Sequence, residues 1–287
     1  MFTFFSPGQS LDPEQMLWVY KNLPCVTPDG PVTVSINNYR NSLHKKDKPS
    51  DTDADVTGTE DAEKIKGYLL RVAPDCAQRA GGMVAFVEVF LGKGSPQAIC
   101  AVLQMFVDYS GAFIDLARRE RAQGVYAQCA AILDDTDISW QDTLQQIADK
   151  WLGLDCSGFV GNWLKVAGPE LKLNQNVKTN NVLSIARRKV RTLETIGPWD
   201  LICHSDNKHI AVVNAVLDLS GGASDNPASL KFDVCQSAGD GPSIDRYSFL
   251  STGADSNGPL FKLASPKKTN IATEFYVISV WDDPASA

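Results

Sequence analysis

Cys156 lies in Trp151-Leu-Gly-Leu-Asp-Cys-Ser-Gly-Phe-Val160, at the point where an amphipathic helical pattern begins. Sulfur attacks a carbonyl carbon as the thiolate, and a helix N-terminus supplies unpaired N–H groups and a partial positive charge that lower a thiol pKa. The dipole contributes only about 0.3–1 kcal/mol, less than about one pKa unit, so a basic partner is required. The chain holds three histidines, His44, His204 and His209. His209 opens His209-Ile-Ala-Val-Val-Asn-Ala-Val216, a run rich in β-branched residues that predicts a strand following a polar turn. His204 precedes that turn and is the competing base. The segment Gly197-Pro-Trp-Asp-Leu-Ile-Cys203 predicts the partner strand of a hairpin, with Asp200 near its start. A further strand at Leu230-Lys-Phe-Asp-Val-Cys-Gln236 would bring up Gln236 to orient the imidazole, with Asp233, expected on the same strand face, as the alternative.

The set Asp155-Cys156-Ser157-Gly158-Phe159-Val160, then Pro198-x-Asp-Leu-Ile202, then His209-Ile-Ala-Val-Val resembles the NlpC-type cysteine peptidases. These are papain-like enzymes that cut amide bonds in bacterial cell-wall peptides. The resemblance covers roughly residues 138–282. It implies an α+β domain in which the cysteine-bearing helix packs on an antiparallel sheet. It also implies Cys156 as nucleophile, His209 as general base and Gln236 in the third place, with Asp155 and Ser157 at the helix start that would bind the oxyanion. The chain departs from the family in having Trp199-Asp200 where Gly-Asp is usual, and Gln236 where a histidine is frequent. A neutral amide can orient an imidazole but stabilises its cation less than a charge does. The family's tyrosine ahead of the cysteine has no counterpart in Ser139–Gln146.

Other constellations carry less. Cys25, Cys76, Cys100, Cys129, Cys203 and Cys235 lack the company of Cys156 and are expected in the core. Cys203, His204, His209 and Cys235 are raw material for zinc, but neither Cys-x-x-Cys nor His-Glu-x-x-His occurs, so neither a metal nor another cofactor is expected. The acidic run Asp51–Asp61 has Val56 and Ala62 where a calcium loop needs Gly and Glu. The cluster Arg187, Arg188, Lys189 and Arg191 is expected on a solvated helix face near 182–189, where it could meet carboxylates of a wall peptide.

The expected organisation is a mainly helical region at 1–137, with a mobile acidic loop near 45–62, followed by the hydrolase domain at 138–287. Helices are predicted over 11–22 and through most of 60–132, then at 143–151 and from Cys156 to Gly168-Pro169. Strands are predicted near 200–204, 209–217, 231–237, 258–264 and 272–281. With a hydrophobic content of 44%, the 287 residues suffice for two globular domains. A formal net charge of −7 argues against nonspecific nucleic-acid or anionic-lipid binding, and no stretch reads as a membrane span. The odd cysteine count fits synthesis in a reducing compartment, and no signal peptide is read in the first residues.

The resulting expectation is a bacterial cysteine amidase acting on peptidoglycan stem peptides. An enzyme of this kind made in the cytoplasm without a signal peptide needs a non-Sec route to the periplasm of a target cell. That points to a toxin injected between bacteria, with a cognate immunity protein and a component of the secretion machine as partners. Acyl transfer of the transglutaminase type to a protein substrate is the alternative enzymatic reading, and a degenerate wall-binding domain is the non-enzymatic one.

Overall fold

A computed structural model of the chain describes residues 11–40, 54–168, 188–189, 193–205, 209–220, 229–239, 241–255, 258–264 and 274–281. Helices and strands are mixed, and the protein is α+β. The chain divides into two compact units. One holds Trp18–Gly158 with Ala238–Pro242; the other holds Phe159–Ser237 and Ser243–Ala287 with the start of the first helix. In this division residues 138–158 belong to the first unit.

The first unit is helical around one hairpin. After helix α1 (Pro13–Lys21), strands β1 (Leu23–Thr27) and β2 (Gly30–Val34) pair antiparallel across Pro28-Asp29, a hairpin that the helical expectation for this half missed. Both outer edges of the hairpin are closed by glutamine amides. Gln104 exchanges hydrogen bonds with both the N–H and the C=O of Val26, each at 2.8 Å. Gln145 does the same at Ser35, each at 2.9 Å, and Gln141 at Thr33. Each amide stands in for a neighbouring strand and satisfies edge groups that would otherwise invite pairing. The missed hairpin thus depends on residues more than seventy positions away.

Helix α2 runs over Ala54–Val72, so the described part of the expected acidic loop is helical, and residues 45–53 lie outside the described residues. The face of α2 carrying Ala62, Ile65, Tyr68 and Leu69 is buried. Helices α3 (Cys76–Arg79) and α4 (Met83–Phe90) lead to α5 (Pro96–Asp108), the most buried helix of this unit, capped by Ser95 with Pro96 at its first position. Helices α6 (Ser110–Arg119) and α7 (Val125–Asp134) follow, and Tyr68 of α2 stacks on Tyr126 at 4.3 Å. Helix α8 (Trp140–Trp151) packs on α2, α7 and β2, which places it with the helical unit. Ser139 caps α8, accepting from Asp142 N–H. Ser139→Ala is expected to cost about 1 kcal/mol, read as a lower urea midpoint with an unchanged slope. No single helix among the described residues is long and apolar enough to cross a membrane.

The second unit contains most of helix α9 (Cys156–Ala167) and a sheet. Its strands are β3 (Arg188–Lys189), β4 (Leu201–His204), β5 (Ile210–Ser220), β6 (Ser229–Ala238), β7 (Gly241–Asp255), β8 (Gly258–Ala264) and β9 (Glu274–Ser279), in the order β3-β9-β4-β5-β6-β7-β8. Strand β8 also pairs with β9, so β9-β4-β5-β6-β7-β8 curls into a closed ring with β3 appended. Closure leaves the central strands without free edges. The face that carries Ala211, Val213, Phe232, Val234, Phe249 and Val277 is a continuous apolar cluster, with Phe232 stacked on Phe249 at 4.5 Å. A second aromatic group joins Trp163, Trp199 and Trp281, and the Trp163 indole donates to the Leu11 carbonyl at 2.8 Å.

Two expectations fail here. Arg188 and Lys189 form a short strand on β9 and are not helical, because Arg188 and Lys189 register with Ser279 and Ile278; Arg187 and Arg191 lie outside the described residues. The expected strand set has none between 231–237 and 258–264, yet Gly241–Asp255 is the longest of the described strands. Gly, Pro, Ser and Asp give Gly241–Asp255 poor intrinsic strand preference, and pairing to β6 and β8 overrides it.

Candidate active site

Cys156 is the first residue of α9, and Asp155 before it caps the helix by accepting the Gly158 N–H at Oδ1. Asp155 and Ser157 are thereby assigned to holding the helix start. Ser157 Oγ donates to Asp155 Oδ1 at 3.0 Å, and Lys93 Nζ donates to Asp155 Oδ2 and Ser157 Oγ, both at 2.6 Å. Burial pushes the Asp155 carboxyl above the usual range, with the Lys93 charge and the hydrogen bonds opposing it. Asp155 N–H donates to the Gly92 carbonyl at 2.7 Å. Gly92 has φ +75, and a Cβ at Gly158 would stand 2.3 Å from the same Gly92 oxygen. The Gly in Asp-Cys-Ser-Gly is therefore required by the close approach of the Gly92-Lys93 backbone.

Cys156 is 5% exposed, and all seven cysteines are buried thiols without disulfides. Burial does not single it out; the helix start and its cap do. Five of the others sit in environments that suppress the thiolate. Desolvation raises Cys25 to about 12, and raises Cys76, Cys100, Cys129 and Cys235 as well. Tyr39 forms a parallel bridge with Leu154, two positions before Cys156, a neighbour on a distant segment that reading back along the chain from the cysteine did not reach.

In the second unit, β4 and β5 form the expected hairpin, with Leu201 opposite Val212 and Cys203 opposite Ile210, closed by His204 N–H to the His209 carbonyl at 3.0 Å. Asp200 is buried and accepts from Gly197 N–H at 2.9 Å, so its carboxylate serves the turn. Trp199 takes φ +70. A left-handed conformation is unfavourable for a bulky residue; here the Trp163 and Trp281 rings and a 2.7 Å hydrogen bond from Trp199 N–H to Val213 hold it.

His209 Nε2 lies 2.7 Å from Gln236 Oε1. The register Val212↔Cys235, extended by one pair, sets Gln236 beside Ala211, so His209 and Gln236 share a face as diagonal neighbours. Gln236 is 5% exposed, and its Nε2 donates to Asp245 Oδ2 at 2.8 Å and to Tyr247 Oη at 2.7 Å. Ser243 Oγ also donates to Asp245 Oδ2, at 2.7 Å. A carboxylate only accepts, so the amide nitrogen must face Asp245 and the amide oxygen must face the histidine. The imidazole then carries its proton on Nε2 and, when neutral, leaves Nδ1 as the base. Burial and Asp245 raise the Tyr247 phenol, which stays protonated.

Asp233 is corrected as a candidate. It stands three positions before Gln236, hence on the opposite strand face, and its carboxylate pairs with Arg246 Nε at 2.9 Å. The competing base, His204, packs its ring edge-on to His209, with centroids 5.1 Å apart. Asp245 and Tyr247 escaped the sequence reading because their strand did. Their alternation with exposed Ile244 and Arg246, ending on buried Phe249, is the period-two signal that would have found them.

Comparison of the chain with protein-family models, curated proteins and solved structures gave no match. The fold and the side chains define an α+β protein with a capped cysteine at a helix start and an oriented, amide-backed histidine.

Proposed function

We propose that the chain is a papain-like, NlpC-type cysteine hydrolase that cleaves amide bonds in peptidoglycan stem peptides. The observation that carries the reading is the His209 Nε2 to Gln236 Oε1 hydrogen bond, with Gln236 held in one orientation by Asp245 and Tyr247. A histidine held in that way is prepared for proton transfer at Nδ1, and Cys156 at the start of α9 is prepared to be a thiolate. In the reaction, His209 takes the thiol proton and the Cys156 sulfur attacks the amide carbonyl. N–H groups of the α9 start receive the oxyanion, and the imidazolium returns its proton to the departing amine. Water, deprotonated by His209, then cleaves the thioester to leave a carboxylate. The substrate class follows from the family resemblance of the motifs. Delivery to the periplasm of a rival cell, against which an immunity protein would protect, belongs to the same proposal.

The test is mass spectrometry of peptidoglycan fragments incubated with the protein and with Cys156→Ala. New stem-peptide carboxylates formed by the unsubstituted protein alone are expected. Intact fragments in both samples would remove the hydrolase reading, and a product carrying an added amine in place of the carboxylate would replace it with acyl transfer.

A further inference from the structure

We propose that Asp245 is a positioning residue that supplies, through Gln236, the negative charge absent from the third catalytic place. This rests on the reading of His209 as the general base. A lone glutamine beside an imidazole can rotate by 180° and present either oxygen or nitrogen, and the two orientations demand opposite tautomers. Here both amide hydrogens are committed, one to Asp245 Oδ2 at 2.8 Å and one to Tyr247 Oη at 2.7 Å, and the oxygen is committed to His209 Nε2 at 2.7 Å. Reversal would set the amide oxygen against a carboxylate that already accepts from Ser243 Oγ. Tyr247 alone would not prevent reversal, because a phenol donates as readily as it accepts. The carboxylate is therefore the group that selects the Nε2–H tautomer and leaves Nδ1 unprotonated. It also polarises the amide toward the imidazole, so that when His209 becomes a cation the negative end of the Asp245–Gln236 chain faces it.

Described groups near the ring include Gln236 on β6, Asp245 and Tyr247 on β7 beyond it, and His204 on β4 edge-on at 5.1 Å. A protonated His204 opposes a His209 cation and Asp245 favours it, so the balance at His209 depends on whether the carboxylate is present. Asp245 comes from β7, and Ser243 and Tyr247 flank it at two-residue spacing on the same strand, so one face of one strand delivers the charge and both of its companions.

The experiment is a nitrogen-15 NMR titration of His209 in the full chain, for the unsubstituted protein and for Asp245→Asn, Tyr247→Phe and the exchanged pair Gln236→Glu with Asp245→Asn. In the unsubstituted protein, neutral His209 is expected as the Nε2–H tautomer; finding Nδ1–H there overturns the proposal without any variant. Asp245→Asn, whose side chain can donate as well as accept, is expected to release the amide, move part of the neutral population to Nδ1–H and lower the His209 midpoint by about one pH unit. Peptide hydrolysis should fall at least about tenfold, with its acid limb displaced by the same interval. Tyr247→Phe keeps the carboxylate and should keep the tautomer. The exchanged pair, with a carboxylate against the ring, should restore the Nε2–H form and raise the midpoint. An unchanged tautomer and midpoint in Asp245→Asn would sink the relay. Failure of the unsubstituted protein to cut peptidoglycan would instead remove the hydrolase reading while leaving the His209 titration to judge the relay.

Discussion

His209→Ala is expected to lower amide hydrolysis by about 10²–10⁴-fold, the range that a positioned general base contributes. In the proposed mechanism the loss has two parts. The thiol of Cys156 loses the group that takes its proton, and the departing amine loses the group that returns it. Stability should change much less. Removing the imidazole leaves Gln236 Oε1 without its donor, which costs about 1–3 kcal/mol unless water replaces the ring. The direct measurement is iodoacetamide labelling near pH 6 with peptide-resolved mass spectrometry. Cys25, Cys76, Cys100, Cys129 and Cys235 are held as thiols by burial, so labelling should concentrate on Cys156 in the unsubstituted protein and disappear from it in His209→Ala. Equal labelling of Cys156 in the two proteins would contradict a role for His209 in activating it. So would uniform labelling of all seven cysteines, which would mark Cys156 as one more core residue.

The second large effect is on stability, at the Lys93–Asp155 pair behind the start of α9. Its side chains are 14% and 4% exposed, and the partners are 2.6 Å apart. Removing one member of a buried pair leaves an uncompensated charge, at a cost of about 3–5 kcal/mol. Lys93→Met is expected to destabilise the chain by that amount at pH 7, and Asp155→Ala by a similar amount with loss of the helix cap added. The two differ in pH dependence. Burial already holds the Asp155 carboxyl above its ordinary value, and without the lysine cation it rises further. A carboxyl with a folded pKa above its unfolded value of about 3.9 contributes stability that is fully present below that value and lost as pH rises through the folded pKa. Lys93→Met should therefore approach the unsubstituted protein near pH 4 and fall behind it as pH rises toward 7, whereas Asp155→Ala has no carboxyl there to titrate. Thermal unfolding across that range checks it; a gap for Lys93→Met that is constant with pH would mean that the loss does not come from an uncompensated Asp155 charge.

Local signals explain what was legible along the chain. The Asp155-Cys156-Ser157-Gly158 helix start, the helical period of α5 to α9, the turn before His209 and the strands at β4, β5, β6, β8 and β9 all rest on neighbours within a few residues. Caps, turn chemistry and hydrophobic periodicity act at that range. Gln236 was reachable in the same way, since β6 announced itself and its third polar position could be counted. Asp233 is the exception: a three-residue step from Gln236 puts it on the opposite face, where Arg246 takes it.

What the amino-acid sequence determined by itself, then, is the α+β class, the cysteine at a helix start and the histidine at a strand entry, because each is written in contiguous residues. Only the tertiary structure decided the rest. The β1–β2 hairpin is completed by glutamines of α5 and α8, and β7 becomes a strand because β6 and β8 flank it. Lys93 reaches Asp155 across 62 positions, and Asp245 controls Gln236 across a strand pairing. These are contacts between segments that are distant or weakly patterned in the chain. Their energy comes from burial and from satisfying charges and amides away from water, which no local period records.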